Sequence, residues 1–146
     1  MKKFRYEALL KYRVFIEESK VSELAEATEK LNIEEQRLFT LEEIRRQAYE
    51  ELNEKEERNI APHELVMYQM YLQQIKLEIE SQRKRVFETQ TLYDEKKGSL
   101  IIATQEKKII EQVKAKDKAI MRDAEKRAEK KVLDETGNIR YVRENC

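Results

Sequence analysis

Two residues of this chain carry side chains that commonly bind metals or attack substrates, His63 and Cys146. Each is the sole residue of its type, so the chain contains neither a disulfide framework nor a cluster of histidine and cysteine metal ligands. His63 follows Pro62 in what reads as a turn, with no second histidine to share a metal. There is also no glycine-rich phosphate loop and no nucleophile motif. We therefore predict no enzymatic activity, no metal site and no cofactor.

Glutamates are abundant, but their setting argues against acid–base catalysis. Charged residues make up 41% of the chain, whereas glycine and proline total three, a balance typical of long exposed helices. General acid–base catalysis requires a site that shifts the pKa of a carboxyl group. A glutamate on a solvated helix has no such site. The elements that would position functional side chains are therefore helices.

A hydrophobic spacing that alternates between three and four residues runs from Leu65 to Lys131. Thirteen of its twenty positions are apolar or tyrosine. A mean spacing of about 3.5 residues keeps these side chains along one line of a supercoiled helix, which is the signature of a coiled coil. This line, here called the seam, requires a partner helix. The partner is either the preceding part of the same chain or a second chain.

The preceding part of the chain is a suitable partner. Residues 1–58 contain neither glycine nor proline, and they carry a seam of their own formed by Leu10, Val14, Val21, Leu24, Leu31 and Leu38. Pro62 then interrupts the pattern, and its fixed φ suits the first turn of a new helix. We predict an all-α fold, a long antiparallel two-helix coiled-coil hairpin. Its first helix spans about 4–58, its turn 59–62 and its second helix about 63–135.

The second helix is predicted to be the longer one. In a hairpin closed at 59–62, residues whose numbers sum to about 120 face each other, so the segment after about residue 117 overhangs the first helix. We expect the helix to continue through Gly98, because the apolar pattern is intact on both sides. Gly137 and Asn138 favour the left-handed conformation that closes helices, which leaves 137–146 as a frayed tail. The chain is predicted to be a single domain, 1–146.

The charges cancel in sum but not in placement. Formal net charge is zero, which gives no general reason to expect a nucleic-acid partner. Residues 1–13 nevertheless carry five bases and one acid, and residues 107–131 carry ten bases and five acids. Residues 42–57 carry three bases and seven acids. An antiparallel hairpin brings both basic segments to its open end, so we predict either a binding surface there or simply a solvated charged face.

Several apolar residues lie off the seam in the half of the hairpin near the turn. On the second helix they are Met67, Met70, Tyr71 and Leu77, and on the first they are Phe39 and Ile44. One interpretation is that they widen the core between the helices. The other is a docking surface for another protein, for which flexible methionine and adaptable tyrosine are well suited.

The sequence carries no sign of export or of membrane insertion. It contains no run of about 18 apolar residues that could span a bilayer. The opening segment, Met1 to Arg5, lacks the apolar region of a secretory signal. We expect a cytoplasmic protein.

Several segments together resemble the FliJ family of flagellar type III export proteins. They are the opening Phe4–Arg13, the turn Asn59–Ala61, the run Tyr68–Ile75 and the late run Glu129–Glu135. The resemblance extends over nearly the whole chain in length and layout. It implies an antiparallel two-helix coiled coil similar to the central stalk of rotary ATPases.

The resemblance also implies partners. FliJ proteins sit at the hexameric ring of the export ATPase FliI, promote its assembly, contact the export gate FlhA and engage substrate chaperones. This implies a monomer in isolation that reaches the inner face of the membrane through its partners, at the flagellar base. By position, the gate-facing surface comprises Leu41, Ile44, Tyr71, Ile75 and Gln82, and the ring-facing end comprises Arg5, Arg13, Arg122 and Arg127.

Three alternatives remain open on the sequence alone. The chain is equally compatible with the corresponding stalk of an injectisome. A structural coiled coil, with its seam satisfied between two chains, is the second alternative. Nucleic-acid binding through the basic open end is the third, and it is disfavoured because the bases are interleaved with acids.

Overall fold

The computed structural model of the chain describes residues 6–145, with side chains described for residues 6–143. Two long helices, α1 (Glu7–Glu57) and α2 (Pro62–Asn145), pack against each other as a hairpin. No strand occurs within the described residues. The predicted all-α hairpin is therefore confirmed. The chain divides into two compact units. Unit 1 comprises residues 1–17 and 102–146, and unit 2 comprises residues 18–101.

The connection between the helices is short because local backbone groups close both helix ends. The N–H of Arg58 donates to the carbonyl of Lys55 at 3.1 Å, which tightens the last turn of α1. Asn59 then adopts a φ of 62°, the left-handed conformation that asparagine tolerates better than most residues. Pro62 opens α2, where its missing N–H costs nothing. The chain thus reverses within a few residues.

Unit 2 contains the hydrophobic core. The buried side chains of the central cluster come from both helices: Ala48, Leu52, Leu72, Ile75 and Ile79. Half-buried apolar residues, including Leu41 and Ile44, pack around this cluster. The seam positions of α2 are therefore the ones that meet α1, as the three-four spacing predicts.

Unit 1 is packed differently. Among its described residues only Ala103 is buried, at 4% exposure. From Lys118 to Arg143 every residue of α2 is exposed, including large apolar residues such as Ile120 and Leu133. This exposed segment, residues 118–143, is referred to below as the free helix.

Helix α2 extends further than the sequence predicts. Neither Gly98 nor Gly137 adopts a positive φ, and α2 runs through both to Asn145. The predicted end at Gly137 and Asn138 therefore differs from the structure. The physical reason is that a glycine inside a helix costs only about 1 kcal/mol, while stopping there requires the left-handed backbone conformation that Gly137 does not take.

Candidate partner-binding surfaces

The five residues predicted to face the export gate divide into two groups in unit 2. Tyr71 is 46% exposed, and Leu41 and Ile44 are half-buried at the margin of the core. Ile75 and Gln82, at 3% and 5% exposure, lie between the two helices. A partner can touch the first three while the hairpin stays closed. It cannot reach the last two.

Gln82 has an intramolecular role. Its amide Nε2 donates to the backbone carbonyl of Glu34 at 3.0 Å and to the Glu34 carboxylate at 2.5 Å. Glu34 in turn accepts a hydrogen bond from Arg37 at 2.9 Å. A buried amide costs little when its hydrogen bonds are made and much more when they are not. Gln82 is thus a satisfied polar position within the seam.

Of the apolar residues off the seam, Ile44 packs against the core, whereas most of the others do not widen it. Met67, Met70 and Leu77 on α2 are mostly exposed, as is Phe39 on α1. Met70 and Leu77 border a shallow hollow that also includes Val66 and three glutamines. Met67 and Tyr71 lie at a different hollow of the same helix. The exposed apolar side chains at these two hollows are called the apolar patch below, and they are Val66, Met67, Met70, Tyr71 and Leu77.

A second hollow, next to the turn between the helices, contains His63. It is lined by Lys55, His63, Glu64, Met67, Tyr68 and Tyr71. The Lys55 ammonium lies 5.0 Å from the centre of the Tyr68 ring, and a hydrogen bond to Tyr68 raises the pKa of Lys55. Within the described residues, no three His, Cys, Asp or Glu side chains are grouped so as to hold a metal ion.

The four arginines predicted to face the ATPase ring are placed unequally. Arg5 lies outside the described residues. Arg13 is half-buried, and its Nη1 donates to the Glu106 carboxylate at 2.6 Å. Arg122 and Arg127 are both exposed on the free helix. The last two are therefore directly accessible to a partner, whereas Arg13 already contributes to holding α1 on α2.

A further contact of unit 1 involves Lys107, a polar member of the seam. Its Nζ donates to the Glu17 carboxylate at 2.8 Å and lies 3.9 Å from the Glu111 carboxylate. The Lys107 hydrogen bond, with a smaller contribution from Thr104, lowers the pKa of Glu17. Glu17 and Glu106 belong to no motif and were not among the predicted site residues. The hairpin numbering, in which facing residues sum to about 120, could have indicated both contacts, because it places each acid opposite the base that it contacts.

None of the described helices is both long enough and apolar enough to cross a membrane. A comparison with protein-family models matches residues 1–145 to the family described as the flagellar FliJ protein. The chain belongs to the FliJ family. Comparisons with curated proteins and with solved structures found no match. FliJ proteins are structural components of the flagellar type III export apparatus rather than enzymes, and this chain is therefore a component of that apparatus.

Proposed function

We propose that this FliJ-family chain is a non-enzymatic stalk that associates with the ring of the export ATPase FliI and connects it to the export gate FlhA and to substrate chaperones. The observation that supports this proposal is the presence of two exposed surfaces of different chemistry, one in each unit. The free helix of unit 1 is basic, and the apolar patch of unit 2 is rich in methionine and tyrosine. A protein that joins two partners needs two such surfaces.

The free helix is the proposed ring-facing surface. Residues 118–143 carry eight bases and five acids, a net charge of +3. Arg122 and Arg127 are exposed on it, so both guanidinium groups are available to carboxylates of a ring. Charges at the rim of an interface act mainly on the association rate and on its salt dependence. The proposed contact is therefore salt-sensitive.

The ring contact is tested with the double charge reversal Arg122→Glu and Arg127→Glu. We expect association with the FliI ring to weaken by about tenfold or more at low salt, and its salt dependence to become shallower. The double reversal Lys84→Glu and Arg85→Glu is the matched control, because both residues are exposed but lie in unit 2 and the change in net charge is the same. Ring affinity that is unaffected by the first double reversal would reject this assignment. Arg13 is left unchanged, because its reversal would also disrupt the contact with Glu106.

The apolar patch is the proposed gate-facing surface. Tyr71 is its most suitable test residue because it is exposed and belongs to the group implied by the family resemblance. We expect Tyr71→Asp to reduce FlhA binding by one to two orders of magnitude, the usual effect of losing an aromatic anchor. Ile75→Asp is not informative here, since Ile75 is part of the core.

Phe87→Asp is the control for the gate experiment. Phe87 is an exposed aromatic residue of α2 that does not belong to the apolar patch. Its change to aspartate introduces the same charge on the same helix. If Phe87→Asp weakens gate binding as much as Tyr71→Asp does, the effect comes from negative charge in general and the patch is not the site.

The same proposal includes a monomer in isolation, because the seam of unit 2 is already covered by the chain's own α1. Sedimentation equilibrium is expected to give the mass of one chain, 17.6 kDa, at all concentrations. A mass that doubles as concentration rises would favour the structural dimer. Peripheral attachment to the cytoplasmic face of the membrane then follows from the partners, since FlhA is the gate within it.

A further inference from the structure

The N-terminal part of α1, Glu7–Glu17, lies on α2 with little apolar burial. Ala103 is the only buried residue among the described residues of unit 1. The apolar residues that accompany it, such as Leu10, Val14 and Ile110, are half-buried, and Phe15 is largely exposed. Apolar burial is the main stabilising contribution to helix packing, so this contribution is small here.

Two ion pairs also join the helices in this unit. Arg13 bonds to Glu106 at 2.6 Å, and Lys107 bonds to Glu17 at 2.8 Å, so each helix contributes one acid and one base. The side chains of both pairs keep contact with water, and dissolved salt therefore screens them in part. The segment Glu7–Glu17, fastened by these two pairs, is called the clasp.

Unit 2 is held differently. Its cluster of Ala48, Leu52, Leu72, Ile75 and Ile79 is buried and apolar. Salt at moderate concentration does not weaken apolar burial, and salting-out ions strengthen it. Unit 2 also has ion pairs across the helices, Arg83–Glu42 and Lys96–Glu23, both at 3.5 Å, but its buried cluster should make it less sensitive to ionic strength than the clasp.

We propose that the clasp is a conformational switch that opens with rising ionic strength while the core of unit 2 stays folded. Opening uncovers Ala103, the half-buried seam residue Ile110 and the half-buried Val113 beside the seam. These residues are continuous along α2 with the exposed Ile120 and Met121 of the free helix. Release of the clasp thus lengthens the apolar face that α2 presents for helix pairing. This opening of the clasp is independent of which proteins bind the free helix.

The test uses a thiol placed opposite the C-terminal end of the clasp, next to Thr104, which hydrogen-bonds to Glu17. In the full chain with Cys146→Ser, the substitution Ala103→Cys adds one small buried thiol, and its modification by iodoacetamide, an uncharged reagent, reports opening. The rate in each salt is divided by the rate in concentrated urea at the same salt, which removes effects of salt on the thiol itself. Ala48→Cys is the matched control, because Ala48 is equally buried but lies in the core of unit 2.

We expect protection of the thiol at position 103 to fall between low and high sodium chloride, by at most about two-fold to thirty-fold, the equilibrium factor for complete loss of two partly exposed ion pairs. Protection at position 48 should stay constant or increase. Equal protection at both positions, or protection at 103 that does not change with salt, would overturn the proposal. Sedimentation in each salt excludes protection that arises from self-association.

Charge-neutral variants separate the clasp from a general effect of salt. Glu17→Gln and Glu106→Gln, each combined with Ala103→Cys, should lower protection at low salt and reduce its salt dependence. Glu43→Gln is the control, because Glu43 pairs with Arg46 of the same helix in unit 2. If Glu43→Gln has the same effect as Glu17→Gln, the response is a property of helix charge and the clasp does not exist. These variants retain the native size at each position, so helicity serves as the check on folding.

Discussion

Truncation of Ile79 to alanine should destabilise the hairpin by about 2–3 kcal/mol. Ile79 is 1% exposed and is the largest fully buried side chain among the described residues. Removal of its three outer carbons forfeits about 0.8 kcal/mol for each, or roughly 2.4 kcal/mol of transfer free energy. A void adds to this loss, by up to about 2 kcal/mol where the surroundings are rigid. Two helices without a third layer can move together, so we expect only a small addition.

Leu77→Ala is the control for this prediction. Leu77 lies two residues away on the same helix but is 57% exposed, so its truncation should cost less than about 1 kcal/mol. Both variants keep alanine's favourable helix propensity, and the difference between them therefore reports packing. The measurement is urea unfolding followed by helical ellipticity. Equal midpoints for the two variants would refute the reasoning, because they would show that the side chains of positions 77 and 79 have the same surroundings.

Three further changes have definite expected results. Gly98→Ala should raise the free energy of unfolding by about 0.5–1 kcal/mol, because an added Cβ meets nothing within 4 Å in a helical backbone, and a lower midpoint in urea would contradict this. Gln82→Ala should lower the free energy of unfolding by about 1–3 kcal/mol, since the substitution removes both hydrogen bonds to Glu34 and leaves a void. An unchanged midpoint in urea would show that the amide is solvated. Because the pKa of Glu17 is lowered in the folded state, its contribution to stability is present above its unfolded pKa of about 4.3 and is lost as pH falls through the folded value. Carboxyl NMR titration should accordingly give a midpoint for Glu17 that rises when Lys107 is replaced by glutamine, and no rise would remove Lys107 as the cause.

The hairpin could be predicted from sequence because one pattern determines it. A three-four spacing that persists from Leu65 for many turns is compatible with few structures other than a coiled coil, and the single proline between two uninterrupted segments indicates the reversal. Burial at Leu72, Ile75 and Ile79 follows directly from the same spacing. These are properties of local periodicity, which a sequence displays directly.

The candidate surfaces were less accessible to prediction, for two physical reasons. Gln82 occupies a seam position, and periodicity alone predicts that it is buried, whereas family resemblance assigned it to a partner. The structure places it against Glu34. Arg13 was counted as available charge, but counting charges ignores the acid that the opposite helix brings within 2.6 Å. In both cases the pairing across the hairpin decides what remains on the surface.

The end of α2 could not be predicted, because the relevant free-energy difference is small. Gly137 disfavours helix by about 1 kcal/mol, a cost that a glycine in a closing motif would avoid. The described residues on both sides of Gly137 are exposed, so little buried surface favours either alternative. A choice between two states of such similar free energy is not visible in a sequence pattern.

The exposure of the free helix has a thermodynamic consequence for its partners. No described residue of the free helix is buried, so its stability depends mainly on its own propensities, and helices stabilised in this way are marginal in water and lose structure on warming. A protein that binds residues 118–143 as a helix binds only the helical fraction of the population. Its apparent affinity is therefore reduced by that fraction, which the helix–coil equilibrium sets. Calorimetry should detect this as a binding enthalpy that becomes more favourable as temperature rises.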